Sequence, residues 1–82
     1  MEAATPVTRP SLSDREIEVL RTWLISDTKD AAARTLFITE ATVNTHITRI
    51  RGKYDLVGRP AVTKSLLLAR AIQDGHITID EL

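Results

Sequence analysis

Asn44, Thr45, Thr48 and Arg49 stand within TEATVNTHITRIRGKY, residues 39–54, and set hydrogen-bonding groups into a stretch whose apolar residues repeat like a helix. Val43, Ile47, Ile50 and Tyr54 recur at helical spacing, which gathers them on one face. At about 100° per residue, the opposite face carries Ala41, Thr45, Thr48 and Gly52, all small. Asn44 flanks that crest on one side; Thr42, Arg49 and Lys53 flank it on the other. Thr and Asn each cost about half a kcal/mol against Ala in a helix interior, so folding alone does not favour such a face.

The chemistry available to this face is recognition. Small residues along a crest let a helix backbone sink into a groove, and the B-DNA major groove, about 12 Å wide, admits a helix. An Asn amide offers a donor and an acceptor side by side, matching adenine N6 and N7, while Thr presents a methyl to thymine and a hydroxyl to base edges or water. Ala41, Asn44, Thr45 and Thr48 are therefore the candidate base-contacting residues. Thr42, Arg49 and Lys53 on the shoulder are candidates for phosphate, which sets register. Thr28 and Lys29, at the expected start of another helix, combine free N–H groups with a hydroxyl and an ammonium and join the phosphate set.

Catalysis is not indicated. No Gly-rich phosphate loop is present, and Asp14, Glu16 and Glu18 fall in a solvated helix start where acids suit the dipole. His46, at the edge of the core face, has only His76 for company and the chain has no cysteine, so neither a metal site nor any cofactor is expected. His46 reads as a packed histidine or a phosphate contact.

The elements that must position this face are short helices. In LSDREIEVLRTWLI, Ser13 and Glu16 have the spacing of a capping box, and Leu12 and Ile17 that of a hydrophobic staple. Ile17, Leu20 and Leu24, widened by Val19 and Trp23, form the apolar stripe. A second helix starts at Asp27 or Thr28, and Ala31, Ala32 and Ala33 allow close approach of another helix. Leu36 and Ile38 add contacts, and Thr39 is a good N-cap for the helix of residues 40–54. A last helix begins at Pro60 and ends at Gly75, with Val62, Leu66, Leu68, Ala69 and Ile72 on its core arc. Leu67 and Ala71 fall off that arc and are expected to leave an apolar strip in water, the mark of a partner surface. HITID is too short to found a sheet. The expected class is all-α with four helices: a linker or disordered lead at 1–11, a folded domain at 12–76 and a C-terminal tail at 77–82.

With 82 residues, 43% of them hydrophobic and only one Phe, one Trp and one Tyr, the chain supports one domain with an aliphatic core. The lack of cysteine fits a reducing cytosol, and no apolar run reaches the length of a membrane span or signal core. A cytoplasmic protein without a membrane partner is expected. Net charge is zero, but unevenly spread. Residues 41–72 hold Arg49, Arg51, Lys53, Arg59, Lys64 and Arg70 against Asp55 alone. Fields fall off within about 8–10 Å at physiological salt, so this local basic belt, and not the total, is the expected footprint on nucleic acid.

LSDREIEVLR at 12–21, LFITEATVNTHITRI at 36–50 and GRPAVTK at 58–64 together resemble the LuxR-type helix-turn-helix domain of bacterial transcription regulators, often the output domain of two-component response regulators. The resemblance implies a scaffold helix at Thr28–Leu36, a recognition helix at Glu40–Tyr54 and a homodimer formed through the last helix on double-stranded DNA. Its base-reading positions fall on Ala41, Asn44, Thr45 and Thr48, and its phosphate positions near Thr28, Thr42, Arg49 and Lys53. It further implies gating by a receiver or sensor domain absent from this chain, and RNA polymerase as a further partner. Ser26 stands where Gly is common, Ala31 where Glu would complete a capping box with Thr28, and Asn44 where Lys is frequent. Two rival readings are a sigma-factor-like promoter-recognition domain and a helical protein–protein module that uses the Leu67 strip without touching DNA.

Overall fold

The computed structural model describes residues 8–82 as four helices in the order α1 (Asp14–Ile25), α2 (Lys29–Leu36), α3 (Glu40–Leu56) and α4 (Lys64–Gln73), followed by a 3-10 turn at Ile79–Glu81. There is no strand among the described residues. Most of the lead expected at 1–11 lies outside them. From Pro10, which is buried, the chain already belongs to the fold.

Each helix starts on a hydroxyl. Ser13 Oγ accepts from the Glu16 amide at 3.1 Å while Glu16 Oε1 accepts from the Ser13 amide at 2.8 Å, the capping box expected of α1. Thr28 accepts from Ala31 at 3.0 Å, so half of the box survives without a glutamate. Thr39 accepts from Thr42 at 3.1 Å and Thr63 from Leu66 at 3.0 Å. That last bond moves the start of α4 from the expected Pro60 to Lys64: a hydroxyl satisfies an orphan N–H, whereas proline merely lacks one.

Three helices also end alike. Phe37, Gly58 and Gly75 take φ of 58°, 72° and 77°, and the next amide reaches back from Ile38 to Ala33, Arg59 to Tyr54 and His76 to Ala71 at 3.0, 3.0 and 2.9 Å. Glycine adopts this region freely; Phe37 does so against its Cβ. Ser26, in contrast, is extended at φ −80° and ψ 147°, a geometry that needs no glycine.

α1, α2 and α3 pack around Val19, Leu20, Trp23, Leu24, Ala32, Ala33, Leu36, Val43, Ile47, Ile50 and Tyr54. α4 adds Leu67 and Ala71, both 0% exposed. This corrects the expected strip in water, and with it the interaction module built on Leu67. The outward side of α4 instead carries the half-buried Leu66 and Ala69, and Val62, just before the helix, is 68% exposed. α4 is apolar nearly all round, so periodicity left its rotation open. Asp74 settles it. Its buried carboxylate shares the Leu67 side and accepts from Tyr54 Oη at 2.8 Å and Arg59 Nη1 at 3.1 Å. Arg59 Nη2 lies 2.9 Å from the other oxygen, an ion-pair approach off the hydrogen-bond direction. Burial alone would raise the Asp74 pKa, but Arg59 and Tyr54 hold it below the usual range; burial and Asp74 push the Tyr54 hydroxyl well up. Residues 77–82 are not a loose tail: Ile77 is buried, and Glu81 Oε1 pairs with Arg21 Nη2 of α1 at 2.6 Å.

Candidate nucleic-acid interface

α3 is built as two opposed faces. Val43, Ile47, Ile50 and Tyr54 are buried, whereas Ala41, Asn44, Thr45, Thr48 and Gly52 are exposed along the other side. Asn44 and Thr48 make no side-chain hydrogen bond within the chain among the described residues, so their polar atoms face outward unengaged. Thr45 Oγ1 donates to the Ala41 carbonyl at 3.0 Å, which leaves its methyl and lone pairs outward. Thr42 is half-buried and shares a 2.9 Å hydroxyl contact with Thr39. A Cβ added at Gly52 would meet nothing within 4 Å. Glycine in a helix interior costs about 1 kcal/mol against Ala, so nothing in the fold accounts for it. Leu56 ends the same line, 86% exposed.

The phosphate candidates divide. Thr28 and Lys29 are exposed at the start of α2, and Arg49 is exposed with no carboxylate partner among the described residues. Lys53 is otherwise engaged. Its Nζ lies 2.6 Å from Glu16 Oε1 and 2.9 Å from the Ser11 carbonyl, so it is not the free shoulder cation expected. Glu16, in turn, is 6% exposed and not solvated. Burial would raise its pKa, but bonds from Lys53 and Ser13 hold it below the ordinary value.

The rest of the basic belt is likewise engaged by its own fold. Arg51 and Lys64 lie over the Trp23 ring at 5.7 and 5.0 Å from its centroid. Arg59 closes on Asp74, and Arg70 Nε donates to the Pro60 carbonyl at 3.1 Å. Only Arg49 of these six side chains has no such engagement among the described residues. A charge sum over a segment cannot see this, because each partner lies outside the segment or in the backbone.

His46 is half-buried, its Nδ1 enclosed without a partner, and with Arg49, Gly52 and Leu56 it lines an open groove between α3 and the Ser13–Glu16 end of α1. No group of three metal-ligating side chains occurs among the described residues. No helix among the described residues is long and apolar enough to cross a membrane. Sequence reasoning missed the Glu16–Lys53 pair, whose members are 37 residues apart with no local signal linking them. It also missed the exposed Phe37, whose one cue was an aromatic residue in the turn between two helices.

No curated protein and no solved structure matches the chain. The family model described as bacterial regulatory proteins, luxR family, matches residues 10–65, from the approach to α1 into the start of α4. With α2 and α3 forming a helix-turn-helix and α3 turning a polar crest outward, the chain belongs to the luxR family of bacterial regulatory proteins, and its helices make up a DNA-binding domain of that family.

Proposed function

We propose that the chain is the sequence-specific output module of a bacterial transcription regulator, with α3 lying in the major groove. Ala41, Asn44, Thr45 and Thr48 read bases; Thr28, Lys29, Thr42 and Arg49 hold phosphates. The observation that carries this reading is the unengaged Asn44 amide on a crest of small residues, ending near a glycine that no neighbour requires. The module is not an enzyme, works in the cytoplasm, and is gated by a receiver or sensor domain, with RNA polymerase as a further partner. It pairs on two half-sites through α4 and the segment just before it, using the outward Val62, Leu66 and Ala69 in place of the buried Leu67 and Ala71.

Selection of bound sites from random duplexes, followed by two variants, tests the roles. Asn44→Ala loses about 1–3 kcal/mol on the selected site and relaxes preference at one base pair. Arg49→Ala weakens all sequences alike and flattens the salt dependence by roughly 0.9 in log–log slope. Equal losses on every duplex for both variants reject the assignment.

A further inference from the structure

Lys53 lies one helical turn beyond Arg49, on the same shoulder of α3. An ammonium there should follow Arg49 onto the phosphate track. Instead two of its three N–H groups are taken, by Glu16 Oε1 at 2.6 Å and the Ser11 carbonyl at 2.9 Å. The carboxylate it meets is not a mobile surface acid. Glu16 is 6% exposed, and the same Oε1 accepts from the Ser13 amide at 2.8 Å, so the α1 cap fixes its position. Drawing Lys53 away would leave a buried carboxylate with the cap bond alone, and unpaired buried charge is strongly disfavoured. A phosphate in solvent, screened by salt, therefore competes with a prearranged and partly desolvated acceptor.

We infer that Glu16 is a specificity-setting residue that withholds Lys53 from DNA, so that sequence-independent attraction to duplexes is weaker than the cations along α3 would give. The inference rests on the DNA-binding reading above. Its consequence is that loss of the Glu16 charge strengthens binding to unrelated sequence, whereas loss of Lys53 changes little.

Salt titrations of the full chain against a duplex lacking the selected site decide the matter. Glu16→Gln keeps an acceptor for the Ser13 amide and a residue type suited to the capping box, but removes the charge that holds Lys53 and leaves it the Ser11 carbonyl. Its log–log slope should steepen by roughly 0.9, so that its advantage over the parent grows about 3.5-fold on going from about 200 to about 50 mM salt. Lys53→Met should match the parent slope, and Glu16→Gln/Lys53→Met should return to it. Because the double variant removes both charges at once, it should stay folded even where Lys53→Met alone does not; circular dichroism checks each. A flattened slope in Lys53→Met, or an unchanged slope in Glu16→Gln, overturns the inference and leaves DNA binding standing. A parent chain that binds no duplex at about 50 mM salt overturns the DNA reading itself, and this inference with it.

Discussion

Leu67→Ala tests whether α4 turns Leu67 into the core. Leu67 is 0% exposed and sits in the cluster that includes Val19, Leu20, Ile50 and Tyr54. Truncating a fully buried leucine costs about 3–5 kcal/mol where neighbours cannot collapse and about 2–3 where they can. α4 is an outer helix with tight contacts only along one side, so the lower range applies. A chain of this length has an unfolding free energy of roughly 4–12 kcal/mol, which makes the loss a large fraction of the whole. With a urea m-value of about 1 kcal/mol/M, the midpoint should fall by about 2–3 M. Trp23, the single tryptophan and a core residue, reports the transition by fluorescence. Val62→Ala, at 68% exposure, is the control and should move stability by less than about 0.5 kcal/mol. A Leu67→Ala midpoint within about 0.5 M of the parent, together with weaker self-association, would refute the placement of α4 and restore the strip in water.

Further outcomes follow from the caps and the buried charges. Phe37→Gly should raise stability by about 0.5–1 kcal/mol in thermal melts, because relief of left-handed strain exceeds the added chain entropy and the 94% exposed ring has little packing to lose; a lower Tm contradicts this. Gly52→Ala should stabilise by up to about 1 kcal/mol, since the new Cβ meets nothing within 4 Å, and a destabilised helix would show an unseen constraint. Asp74 and Glu16 are carboxylates with lowered pKa, so their contribution is present at neutral pH and is lost as pH falls below the usual carboxylate values near 4. Burial lowers the His76 pKa, so the unfolded chain binds its proton first and a shallower loss begins near pH 6.5. Urea midpoints measured from pH 8 to 3 should show both limbs, and His76→Gln should remove the upper one while the acid limb persists through Arg59, Tyr54 and Lys53.

The two-faced α3 was legible because its pattern is local: Val43, Ile47, Ile50 and Tyr54 repeat in one phase with no competing apolar stripe. The Ser13–Glu16 box and the Thr39 cap were legible for the same reason, since donor and acceptor lie three residues apart. α4 was not. Leu66, Leu68, Ala69 and Ile72 offer one arc and Leu67 and Ala71 another, and the choice depends on Asp74 meeting Tyr54 and Arg59 from distant parts of the chain. The basic belt failed for a related reason: composition counts cations without their partners. Arg51 over Trp23 and Lys53 against Glu16 are tertiary facts.

The engagement of those cations by their own fold bears on how a module of this kind can hold DNA at all. If Lys29 and Arg49 are the phosphate cations that each copy offers, counterion release gives a log–log salt slope of roughly 1.8 per copy, shallow for a protein on duplex DNA. The Thr28 and Thr42 hydroxyls and the amides at the start of α2 add hydrogen bonds but release no counterions. One copy therefore has little sequence-independent grip, and a single Asn44 contact worth about 1–3 kcal/mol does not supply the rest. Two linked copies make the second contact intramolecular, which multiplies affinity without any new chemistry on the crest. The slope should then double to roughly 3.6 on paired half-sites while remaining near 1.8 on a half-site alone. The proposed pairing through the outward face of α4 predicts that doubling. A steep slope on one half-site would mean that cations now engaged by their own fold are released on contact.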